Sequence, residues 1–68
     1  MQVYPNPVQN QLFIKGCNAH DVVKIINMTG QVLTAHEINY ATVVDVSFLP
    51  PGLYFLKTEN AVRKFVKE

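Results

Sequence analysis

Cys17, His20 and Asp21 stand within five consecutive positions. A thiol, an imidazole and a carboxylate are the parts of a nucleophile, its base and the group that orients the base. Such a set works only where the three side chains converge in a cleft. Adjacency along the chain does not supply that convergence, and 68 residues leave little room for a cleft. A reactive thiol also needs a cation or a helix N-terminus beside it, and neither flanks Cys17. Cys17 therefore reads as a small, semi-buried apolar residue near a turn. Zinc sites take three or four ligands, usually in local pairs; His20 and His36 form no such pair and read as surface residues in a loop and a strand. Asp45 alternates outward on a strand, so no paired carboxylates are set up for hydrolysis. Gly16, Gly30 and Gly52 occur singly, which excludes a glycine-rich phosphate loop. Asn27-Met28-Thr29 matches the N-glycosylation pattern, but an asparagine at a tight turn is more simply a turn former. These residues point to no enzyme, no metal and no cofactor.

Composition narrows the class further. One cysteine cannot form an internal disulfide. Hydrophobic residues make up 49% and charged residues 16%, too apolar for a disordered tail. The net charge of +1 lacks the clustered cations of a nucleic-acid binder. No apolar run reaches the ~18 residues of a membrane helix, and no cationic segment leads an apolar one as in a secretory signal. We expect a single domain spanning 1–68, a fragment of a larger protein. A chain of this size buries only about 60% of the surface its unfolded form exposes, so its core is small.

The elements that must position these residues read as strands. Val44, Val46 and Phe48 alternate with Asp45 and Ser47, the period of a half-buried strand. Pro50 and Pro51 cannot donate to a ladder and stop it. Pro51-Gly52 suits the centre of a type II turn, and Leu53 to Thr58 restarts as a strand, so Thr42 to Thr58 reads as a hairpin. Before it come Asn10 to Lys15, with Leu12 and Ile14 inward and Phe13 outward, then Val22 to Asn27, with Val23 and Ile25 inward. Met28 to Gln31 is a turn with glycine at a positive-φ position, and Val32 to Ile38 returns. Pro5 and Pro7 push Tyr4 and Asn6 towards extended geometry, with Tyr4 packing against the domain. Val62 to Lys67 closes the chain. Six strands, or seven if Val3-Tyr4 pairs, at about 10-residue spacing favour an all-β sandwich or small barrel. The cations Arg63, Lys64 and Lys67 fit either an edge strand protected by charge or a basic tip that another protein reads.

In order, Tyr4-Pro5-Asn6-Pro7, Val23-Lys24-Ile25-Ile26-Asn27-Met28-Thr29-Gly30-Gln31-Val32, Val44-Asp45-Val46-Ser47, Leu49-Pro50-Pro51-Gly52-Leu53-Tyr54 and Arg63-Lys64-Phe65-Val66-Lys67 resemble the type A C-terminal sorting domain of the type IX (Por) secretion system of Bacteroidota. The resemblance runs from Tyr4 to Lys67. It implies an immunoglobulin-like antiparallel β-sandwich at the C-terminus of a cargo protein. That cargo would pass through the periplasm and the outer-membrane translocon to the cell surface or the medium. A sortase-like peptidase would remove the domain upstream of Tyr4, at or before Met1. Motif positions carry over onto Gly30, Leu49, Gly52, Tyr54 and Lys64 to Lys67, beside Tyr4, Pro5, Asn6 and Pro7. Phe48, where relatives are more often polar, and the terminal Glu68 depart from the pattern. The recognised surface is expected on the last hairpin, Leu53 to Lys67, as an exposed edge open to strand addition and also to self-association. The alternative is a carbohydrate-binding or spacer module, for which Phe13, Tyr40, Phe48 and Phe55 would have to share a face.

Overall fold

The computed structural model describes residues 1–68. It has seven strands: β1 (Gln2–Tyr4), β2 (Gln11–Lys15), β3 (Asp21–Ile26), β4 (Val32–Ile38), β5 (Ala41–Asp45), β6 (Gly52–Lys57) and β7 (Val62–Lys67). Val3-Tyr4 does pair, opposite Phe13 and Ile14. Two antiparallel sheets form, ordered β1-β2-β5 and β4-β3-β6-β7. This is the strand distribution of an immunoglobulin-like sandwich.

Alternation builds the layer between the sheets. Leu12 and Ile14 of β2, Val23 and Ile25 of β3, Val44 of β5, and Tyr54 and Leu56 of β6 are all buried there. Side chains at i and i+2 share a face of a strand, so β2, β3 and β6 each contribute two anchors and β5 one. Phe65 is fully buried and stacks on Tyr54, its register partner, with ring centroids 5.7 Å apart. Cys17 joins this core.

The Thr42–Thr58 hairpin expected from the sequence does not form. β5 pairs with β2 in one sheet, and β6 pairs with β3 and β7 in the other. Residues 46–51 therefore cross between sheets. Asp45 ends β5: its Oδ1 accepts from the Ser47 N–H at 2.9 Å, a local turn that breaks the strand period. The Ser47 hydroxyl and its amide hold the exposed Asp45 carboxyl below its ordinary pKa. With the period broken, Phe48 points to solvent and Leu49 is buried in its place. Gly52 opens β6 with φ +156°, far from the roughly +80° that a type II turn requires at that position. The tyrosine hydroxyl of β6 ties the crossover down, donating to the Pro50 carbonyl at 2.6 Å. This is a tyrosine corner, built where two prolines leave the crossover short of backbone donors.

The β3–β4 turn follows the sequence reading. Gly30 has φ +89°. Asn27 Oδ1 accepts from the backbone N–H groups of Thr29 and Gln31 and from the Thr29 hydroxyl, at 3.0, 2.9 and 2.7 Å. Asn27 is thus the turn former.

Candidate recognition surface

The side chains with the most reactive chemistry do not converge. Cys17 is buried; burial first, and the Asp21 charge second, push its thiol pKa up, so it stays protonated. His20 sits in the loop at φ 58°, mostly exposed, with Nδ1 3.6 Å from Glu37 Oε1. His36 lies on β4 with Nε2 3.0 Å from the Thr34 hydroxyl. Each imidazole has its own partner, and neither partner is the thiol.

The aromatics that a carbohydrate-binding module would need on one face are dispersed. Phe13 faces out from β2, whereas Phe55 belongs to the other sheet. Tyr40 and Phe48 sit in turns. Phe13 stacks on Tyr4 instead, with centroids 5.5 Å apart and rings 14° from parallel. Each ring gives one face to the other, which leaves no flat pair of open faces for a sugar. Tyr4 is thus exposed on the sheet and packed only along one side.

The candidate residues taken from the resemblance are spread over several elements. Register places four segments at one end of the sandwich. Gly52 and Val8 both align with Lys67, Val46 N–H donates to the Asn10 carbonyl at 2.8 Å, and the turn carrying Gly30 follows Ile26, which aligns with Phe55. The N-terminal segment, the crossover and the C-terminal strand therefore meet there. Within that set, Leu49, Tyr54, Phe65 and Lys67 are buried. Pro5, Asn6, Pro7, Gly30, Gly52, Lys64 and Val66 are exposed. Lys67 shares the core face with Phe65, and its Nζ reaches the Glu68 carbonyl at 3.0 Å.

The edge of β7 is only half open. Val8 N–H donates to the Val66 carbonyl and Glu68 N–H to the Val8 carbonyl, both at 2.8 Å. Val66 N–H donates to Asn6 Oδ1 at 3.0 Å. The Tyr-Pro-Asn-Pro-Val stretch thus acts as a strap along the last strand. Its two X-Pro bonds, Tyr4-Pro5 and Asn6-Pro7, are cis. Backbone groups alternate in direction along an antiparallel pair, so Val62 and Lys64 keep outward groups beyond the strap. The sequence pointed to an edge strand at β7 but not to its cover; the only signal was an asparagine between two prolines, sixty residues away from its partner.

Asn6→Ala should lower stability by about 0.5–1.5 kcal/mol, the net value of one hydrogen bond, while Asn6→Asp, which keeps the acceptor, should lose less. Urea melts of the two variants check this; equal midpoints would show that the strap does not depend on the side chain.

A family model described as Secretion system C-terminal sorting domain matches residues 2–68. No curated protein and no solved structure matches the chain.

Proposed function

The chain belongs to the secretion system C-terminal sorting domain family, and from that premise we propose how it serves export. It is the address of a cargo protein handled by the type IX system, and the cargo is joined on the side of Met1. The cargo crosses the periplasm, and the folded domain then engages the outer-membrane translocon. A sortase-like peptidase at the surface cuts upstream of Tyr4. The domain supplies recognition and no catalytic step. The observation that carries this reading is the meeting of motif segments at one end of the sandwich, where the strap pins the N-terminal side to β7. There Pro5, Asn6, Pro7, Gly30, Gly52, Lys64 and Val66 offer a surface, while Leu49, Tyr54, Phe65 and Lys67 hold it in shape. Tyr4 adds its stacked ring on the adjoining sheet.

The test is export of a reporter carrying an N-terminal periplasmic signal and this chain at its C-terminus. Surface or medium reporter should appear in a type IX-competent strain and not in one lacking the translocon. Folded reporter retained in the periplasm of both strains would reject the sorting role.

A further inference from the structure

The two edges of the four-stranded sheet end differently. On β7, Val66 uses both backbone groups on the strap: its N–H on Asn6 Oδ1 at 3.0 Å and its carbonyl on the Val8 N–H at 2.8 Å. The Val62 carbonyl is taken by Arg63 Nη1 at 3.0 Å. β4, at the other edge, has no such cover. Backbone groups alternate in direction along a strand, so the outward turn of Val66 fixes Arg63–Leu56, Lys57–Lys24 and Val23–His36 as bonded pairs. Ala35 and Glu37 then turn N–H and carbonyl away from the sheet, where no strand follows. β4 contains no proline, lysine or arginine, residues that commonly keep an edge from pairing. The β3–β4 register shift lies towards Val32, outside this stretch.

The two edges complement each other. Strand directions alternate through β4, β3, β6 and β7, so a copy shifted sideways without being turned over brings its β4 antiparallel to β7. With Lys64 set opposite Glu37, Val66 falls opposite Ala35. Outward-turned residues then meet outward-turned residues, and all four side chains lie on the solvent face of the sheet. The row across the joint reads Val22, Glu37, Lys64, Phe55. Opposite charges directly across a strand pair stabilise a sheet. Glu37 has only the His20 imidazole beside it, at 3.6 Å, and Lys64 has no ion-pair partner. On the other face Phe65 meets His36 and Arg63 meets Ile38, so no like charges are opposed. We propose that the strap is a guard: it denies β7 to the β4 edge of a second copy. Without it, each added copy would present a fresh β7, and a head-to-tail contact with no rotation to close it grows into an open array.

Sedimentation velocity of the whole chain tests this. The parent should sediment as one chain at every concentration. Asn6→Ala frees the Val66 N–H, and its weight-average mass should rise with concentration beyond two chains. Asn6→Asp, which keeps the acceptor, should stay single. Adding Glu37→Lys to Asn6→Ala opposes two cations at the joint and should return the protein to one chain; adding Lys64→Glu to that pair should restore association. Tyr54→Phe loses the Pro50 bond with the strap intact and should stay single, which separates edge pairing from the stickiness of a loosened fold. Association of the parent, an Asn6→Ala chain that stays single, or association indifferent to the charge at Glu37 would overturn the guard. A mass that stops at two chains would overturn the head-to-tail contact in favour of β4 on β4.

Discussion

Phe65→Ala should leave the domain at or below its folding threshold. The ring is fully buried and stacks on Tyr54 between the sheets. Phe-to-Ala changes in a packed core cost about 3–5 kcal/mol, because lost transfer energy and a residual cavity add. A 68-residue domain has roughly 3–10 kcal/mol in total, at ~0.05–0.15 kcal/mol per residue. One side chain thus accounts for a large share of the whole. Circular dichroism in urea should show the cooperative transition lost or moved close to zero denaturant. Phe65→Leu, which keeps most of the volume, should retain the transition. The comparison also separates two roles for a residue of the proposed recognition set. If Phe65 supports the surface from below, loss of export tracks loss of folding across both variants. A Phe65→Ala domain that melts like the parent would contradict the packing.

Tyr54→Phe should have the next largest effect, and by a different route. The ring stays on Phe65, and only the hydroxyl that holds the Pro50 carbonyl is removed. A partly buried acceptor left unpaired costs about 1–3 kcal/mol. In a domain of this size each kcal/mol shifts Tm by about 4–8 °C. Pro50 and Pro51 contribute no N–H groups of their own, so few backbone bonds stand ready to replace the lost one. The strand pairs are untouched, and the transition should remain cooperative at a lower midpoint. An unchanged Tm would mean that the crossover is held by Leu49 packing alone.

The sequence carried β2, β3 and β6 well because each obeys its own local period. β3, with Val23 and Ile25 inward, and β4, following the Asn27–Gly30 turn, needed nothing beyond neighbouring residues. Which sheet a strand joins is a different kind of information. Val44 and Tyr54 are both inward-facing whether their strands pair with each other or lie across the core. Pro-Pro-Gly reads the same at a hairpin and at a crossover. The deciding contacts, β5 with β2 and β6 with β3, lie about 30 residues apart in sequence, where loop-closure cost and tertiary packing decide the outcome. Lys67 failed for a related reason: charge argued for exposure, while its place two residues beyond Phe65 on the same strand put it on the core face. The residues proposed for recognition were legible as a set of short motifs, and their division into exposed and buried ones came only with the register.

The strap has a mechanical consequence. Val8 and Lys67 are bridged in parallel, so tension between a cargo pulled from the N-terminal side and a domain gripped at its last strand loads this contact in shear. The Val8–Val66 and Val8–Glu68 backbone bonds and the Asn6 amide share that load and must yield together. Resistance to forced opening depends on the unfolding rate, so a domain of small thermodynamic stability can still transmit a pull from its cargo to its own C-terminus without coming apart.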